Sequence, residues 1–166
     1  MRIRLRALEP EDLDLLYNIE NDQSLWDVGN TNVPYSRYAL HNYIAQTTGD
    51  IYQDGQVRLM IENEQSEVVG IADLVNFDAR HQRAELGLVI INKFRRNGYA
   101  VEVVGQVADY ALRVLHLHQL YAVVDVDNMA SSSLFAHVGW QSSARLHEWL
   151  FDGKSYHDVI IYQKIL

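Results

Sequence analysis

The chain contains no cysteine. Disulfides, thiol nucleophiles and thiolate metal sites are therefore excluded, and a reducing, cytoplasmic setting fits the composition. Long apolar runs are missing as well. No segment of the 166 residues approaches the roughly 20 apolar residues that span a bilayer, so no membrane partner is expected. Positive charge is scarce: 14 Lys+Arg stand against 22 Asp+Glu, a formal net charge of −8. That balance disfavours wrapping nucleic acid and favours cationic partners through long-range steering. The seven histidines show no metal-ligand spacing, so no metal is expected. No linker, repeat or low-complexity tract divides the chain, and residues 1–166 read as a single domain.

What is present is a continuous alternation of strand and helix patterns. Ile3 to Ala7 reads as a half-buried strand rather than a secretory signal. Glu9-Pro10-Glu11-Asp12 opens a helix continuing to Ile19, with proline and acids in its first turn. A polar loop from Asn21 to Tyr35 precedes a second helix, with Ser36 as its N-cap and Tyr38 to Ala45 as its body. Val57 to Ile61 and Val68 to Val75 are strands about the turn Asn63-Glu64-Gln65-Ser66. Arg83 to Ile91 is the next strand and Tyr99 to Leu115 a long helix. Leu120 to Val126 is a strand and Ala130 to Val138 a short helix. Leu146 to Phe151 and Tyr156 to Tyr162 form a hairpin about Asp152-Gly153.

The segment Arg95-Arg96-Asn97-Gly98-Tyr99-Ala100 lies between an apolar strand and a helix start. Helix N-termini present free N–H groups and about half a unit of positive charge, and arginines add donors suited to phosphate. This is a candidate anion site. No Gly-Lys-Ser/Thr follows the loop, so it is not a Walker loop, nor is it a G-x-G-x-x-G fingerprint.

The pattern (Arg/Gln)-x-x-Gly-x-(Gly/Ala) resembles the pyrophosphate loop of the GCN5-related N-acetyltransferases. Other segments carry the same likeness. Gln82-Arg83-Ala84-Glu85-Leu86-Gly87 resembles a strand entry of that family. Asn128-Met129-Ala130-Ser131, with Phe135 and Val138-Gly139-Trp140, and the hairpin His147-Glu148-Trp149 to Tyr156 are similar to its later motifs. The likeness spans Ile3 to Tyr162 and looks closest to the branch of spermidine N-acetyltransferases and ribosomal-protein N-terminal acetylases. It implies a single-domain α/β (α+β) fold in the order β-α-α-β-β-β-α-β-α-β-β. The sheet would be mixed, mostly antiparallel and of about seven strands, flanked by about four helices.

The resemblance implies acetyl-coenzyme A as acetyl donor. Its pantetheine arm would follow Leu88, Val89 and Ile90 where the sheet splays, with a backbone N–H near Val89 facing the oxyanion. Its pyrophosphate would rest on the amides of residues 96 to 100, with Arg95 and Arg96 as helpers. Asn128 would contact the cofactor or cap its helix. Many family members place a tyrosine where this chain has Phe135, which cannot donate a proton. Ser131 or its neighbours Ser132 and Ser133 could serve the sulfur instead, with water.

Acetyl transfer needs an acceptor amine to lose a proton and an oxyanion to be stabilised. Glu85 interrupts an apolar strand and is the first candidate for base or cation holder, with pairing to Arg83 or Arg80 as the structural alternative. Asp73 is similarly placed on the preceding strand. Trp26, Tyr35 and Trp149 are candidate acceptor contacts. The acceptor is expected to be a polyamine or other small amine, with a protein N-terminus as the alternative. A non-catalytic acyl-coenzyme A or polyamine sensor is a reading from another class. An exposed strand edge near the C-terminus would allow a homo-oligomer.

Overall fold

The computed structural model describes residues 2–24 and 33–166. Seven strands form one sheet in the order β1-β2-β3-β4-β5-β7-β6. They are β1 (Ile3–Ala7), β2 (Val57–Asn63), β3 (Val68–Asp78), β4 (Arg83–Ile90), β5 (Gln119–Asp125), β6 (Gln141–Phe151) and β7 (Tyr156–Ile165). All neighbours are antiparallel except β4 and β5, which pair in parallel. The helices are α1 (Leu13–Glu20), α2 (Arg37–Gln46), α3 (Ile51–Asp54), α4 (Tyr99–Arg113) and α5 (Met129–His137).

The expected element order holds, with one short helix added. At four residues, α3 is too brief for a periodic signal. It is bounded by the Asp50 side chain, which accepts from the Tyr52 amide, and by left-handed Gly55. The last two strands extend beyond their expected limits, because β6 contains two register shifts that break its alternation.

Helix starts follow local chemistry. Glu9 and Asp12 form a capping box ahead of α1, with Pro10 in the first turn. Ser36 caps α2 by accepting from the Ala39 amide at 3.0 Å. Arg6 holds Asp12 through two bonds of 2.7 and 2.8 Å and reaches Glu62 on β2, tying the start of α1 to the sheet.

Each face of the sheet buries its own apolar set. Leu16 and Ile19 of α1 and Leu40 of α2 pack on Met60 and Ile71, with Val89 and Ile91 at the edge. On the other face Val103, Val104, Val107 and Ala111 of α4 pack on Ile61, Val69, Ala72, Leu74 and Leu86. Each fully buried valine, leucine, isoleucine or methionine among them contributes about 1.5–3 kcal/mol of transfer free energy. The helix pair α1/α2 and helix α4 thus cover opposite faces of the sheet.

Candidate active site

The parallel β4–β5 ladder is short. It pairs Arg83 with Gln119, Ala84 with Leu120 and Glu85 with Tyr121, and stops. Beyond that point β4 follows β3 to Ile90, while β5 follows β7 to Asp125. The two strands diverge, opening a wedge whose walls are backbone edges. Gly70 marks how closely β3 meets β4 there, since a Cβ on it would stand 2.2 Å from the Val89 carbonyl oxygen.

Strand alternation decides which peptide groups face the wedge. At one end of β4 the Gln82 carbonyl accepts from the His118 amide at 2.8 Å, on the β5 side. At the other end the Ile91 amide donates to Val69 at 2.9 Å, on the β3 side. Counting by twos from either end, Leu86, Leu88 and Ile90 turn their peptide groups toward the wedge, and Val89 turns its own toward β3. Arg95 Nε, donating to the Ile90 carbonyl at 3.1 Å, agrees with this. Candidate oxyanion donors are therefore the amides of Leu88 and Ile90 rather than that of Val89.

The chain then passes through a one-turn helix, Asn92–Phe94, into the glycine-bearing loop. Arg96 (φ 63°) and Gly98 (φ 78°) both adopt left-handed backbone. Asn97 Nδ2 donates to the carbonyls of Phe94 and Arg95 at 2.9 and 3.2 Å, folding the loop back. Helix α4 begins at Tyr99 with no side-chain cap, so the amides of its first turn have neither intrahelical nor capping partners. Groups of this kind can receive an anion. Arg95 and Arg96 are exposed beside them.

A third guanidinium stands at this loop. Arg2 Nη1 donates to the Asn97 carbonyl at 2.7 Å, and Arg2 Nη2 would lie 2.9 Å from a Cβ on Gly98. It also pairs with Glu102 of α4, which accepts from the Arg2 amide at 2.7 Å, and it lies over the Tyr99 ring at 5.6 Å. A residue 95 positions away in sequence gives no pattern signal, and the alternating run Arg2-Ile3-Arg4 reads only as a strand.

On the α1/α2 side the candidates fall into two groups. Asp73 is bound by Arg58 through bonds of 2.8 and 3.0 Å, and Arg58 Nη1 donates to Glu20 at 2.6 Å. Burial opposes the Arg58 charge, yet the adjacent Asp73 and Glu20 outweigh it and hold the guanidinium above the ordinary arginine range. Asp73 is thus engaged within the fold. Glu85 differs. Its Oε2 accepts from Asn76 Nδ2 at 2.7 Å, and Arg83 pairs with Asp78 rather than with it. Glu85 sits half-buried at the last rung before the wedge, opposite Tyr121. Burial, with the Glu85 carboxylate beside it, raises the Tyr121 hydroxyl above the usual tyrosine range. Tyr121 carries no motif signal and is found only through the register.

Across the wedge, Asn128 caps α5, its side chain accepting from the Ser131 amide at 3.1 Å, and Ser131 is half-buried. Phe135 lies in the core, 4% exposed, against Trp140 at 4.8 Å and Tyr162 at 5.5 Å. Its ring packs. Tyr35 is exposed and held through its backbone by Asn21. Trp149 is 60% exposed on β6, three strands from β4 in the sheet order. Trp26 lies outside the described residues.

His157 of β7 is a member that spacing could not reveal. Its Nε2 meets Asp152 at 2.7 Å, and its Nδ1 meets Asp127 and Asp125 at 3.0 and 3.2 Å. The hydrogen bond to Asp152 raises its pKa. The clamp fixes the turn ahead of α5 to the C-terminal hairpin. Ligand atoms of Asp125, Asp127 and His157 lie within 4.8 Å of one another.

A splayed parallel strand pair, followed by an uncapped helix behind a left-handed glycine, fits a pantetheine arm and its pyrophosphate. Comparison with known proteins identifies the family: the profile of the acetyltransferase (GNAT) domain matches residues 2–141. The chain belongs to the GNAT acetyltransferase family. It is an N-acetyltransferase with acetyl-coenzyme A as donor. This acetyltransferase is 26% identical over 162 residues to a spermidine N(1)-acetyltransferase of Vibrio cholerae, covering 95% of this chain and 90% of the relative. It is 29% identical to the N-acetyltransferase YoaA of Bacillus subtilis, covering 97% and 92%. Among solved structures, Vibrio cholerae spermidine N-acetyltransferase in complex with CoA and spermine has the same fold, with a TM-score of 0.90, 24% identity and 99% and 95% coverage. No helix among the acetyltransferase's described residues is long and apolar enough to cross a membrane.

Proposed function

We propose that this acetyltransferase transfers its acetyl group to a primary amine of a polyamine such as spermidine, by direct attack within a ternary complex. The observation that carries the reading is the Glu85 carboxylate at the mouth of the wedge, with one oxygen held by an uncharged donor. A carboxylate whose charge is not already neutralised by a cation attracts an ammonium group and can accept its proton, directly or through one water. The net charge of −8 adds long-range attraction for a polycation. The relatives named as spermidine N(1)-acetyltransferases support the same acceptor class.

In this reading Leu88, Val89 and Ile90 line the pantetheine arm, the peptide groups of Leu88 and Ile90 supplying its hydrogen bonds. The amides of residues 96 to 100 hold the pyrophosphate, with Arg95, Arg96 and Arg2 around it. The acceptor nitrogen enters from the α1/α2 side, and Glu85 takes its proton. The nitrogen bonds to the carbonyl carbon as an amide of Leu88 or Ile90 stabilises the oxygen. The carbon–sulfur bond breaks, the sulfur takes a proton from water ordered by Ser131, and the second proton leaving the new amide nitrogen restores that water. Asn128 acts by capping the helix that carries that serine.

Glu85→Gln tests the assignment. Spermidine turnover should fall by about a hundredfold, the low end for loss of a general base, while coenzyme A affinity stays within twofold of the parent. Parental turnover in Glu85→Gln would overturn the role.

A further inference from the structure

The ladder between β3 and β4 pairs Val75 with Glu85 and next pairs Asp78 with Arg83. Between those rungs Asn76 and Phe77 oppose the single residue Ala84, which is a β-bulge. Its effect is legible in where the side chains go. Without the extra residue, alternation would send Asn76 to the face opposite Glu85 and Phe77 to the same face. Instead Phe77 packs with the α4-side core, and Asn76 Nδ2 donates to Glu85 Oε2 at 2.7 Å. Asn76 reaches this position with φ 50°, a left-handed backbone that asparagine tolerates better than most residues.

From this geometry we infer that Asn76 is a positioning residue for Glu85, presented by a bulge that re-aims it. The inference rests on the role proposed above for Glu85. Charge and donor type fit the task. Arg83, the cation two residues from Glu85, is drawn aside to Asp78 at 3.2 Å, and Arg58 is enclosed by Asp73 and Glu20. Among the described residues the partner that remains is an amide, which fixes the carboxylate's rotamer without cancelling its charge. One oxygen is anchored by Asn76, which leaves the other for a cationic acceptor.

A double-mutant cycle tests this, using Asn76→Gly, Glu85→Gln and the pair. Glycine accepts the same backbone, so the bulge is kept while the donor is lost. Asn76→Gly should lower kcat/KM for spermidine by roughly tenfold, as for one hydrogen bond to a charged group. In the Glu85→Gln background it should change kcat/KM by less than twofold. Equal losses in both backgrounds, or no loss in the parent, would overturn the inference. If the parent itself turns over no amine, the proposed function fails separately. The crystal structure of Asn76→Gly then decides the positioning role, with Glu85 leaving its parental rotamer as the supporting result and Glu85 unmoved as the contrary one.

Discussion

Replacing Gly98 separates charge from shape at the proposed pyrophosphate site. Its φ of 78° is left-handed, and a Cβ there would stand 2.9 Å from Arg2 Nη2. The near atom is the far end of a flexible, half-exposed side chain, so the steric conflict can be relieved by a small shift of that guanidinium. Asparagine and aspartate both tolerate this backbone, so Gly98→Asn and Gly98→Asp have similar shape and differ by one negative charge. A unit charge 4 Å from another contributes about 1 kcal/mol in bulk water and about 4 kcal/mol at a protein surface. Repulsion of phosphate should therefore weaken binding somewhere between fivefold and several-hundredfold. Arg2 lies close enough to offset part of it, which places the expectation near tenfold between the two variants. Isothermal titration with coenzyme A measures both dissociation constants, and thermal melting checks that both variants are folded. Equal affinities for Gly98→Asn and Gly98→Asp in folded protein would refute the placement of phosphate on this loop.

Arg58→Leu should destabilise the fold, because it removes the cation that faces Asp73 and Glu20, whose side chains are 23% and 16% exposed. Losing the cation of a buried ion pair costs about 3–5 kcal/mol, equivalent to a fall in Tm of roughly 6–20 °C for a chain of this size; a loss under 3 °C would contradict the packing role. His157→Gln tests the clamp before α5. The Asp152 hydrogen bond raises the histidine's pKa in the folded state, so its stabilisation is fully present below the unfolded pKa and is lost as pH rises through the folded one. The Tm difference between parent and His157→Gln should therefore be larger at pH 6 than at pH 9, and a constant difference would refute the clamp.

Sequence reasoning reached the frame of the molecule because its signals are local. Apolar alternation in β1 to β5, the proline and acids before α1, Ser36 before α2 and the glycine before α4 each act within a few residues. Helix α3 was too short for periodicity, and the register shifts of β6 erased its pattern. The candidate anion loop was legible because its amides and arginines are contiguous. The acceptor side was only half legible. Glu85 stood out against an apolar strand, but its partner Asn76 depends on a bulge, and Tyr121 meets it only through a parallel register. The embrace of Asp73 by Arg58 joins β2 to β3, while Arg2 joins β1 to α4. Such contacts are decided by topology, which spacing along one chain does not encode.

The central claim is that the wedge holds acetyl-coenzyme A and presents it to a polyamine. Free-thiol release from acetyl-coenzyme A, measured with spermidine, spermine, aminoglycosides and short peptides against a no-acceptor control, tests it most directly. The account predicts acceptor-dependent thiol release that is fastest with the polyamines. Release that depends on peptide N-termini and is absent with spermidine and spermine would contradict it.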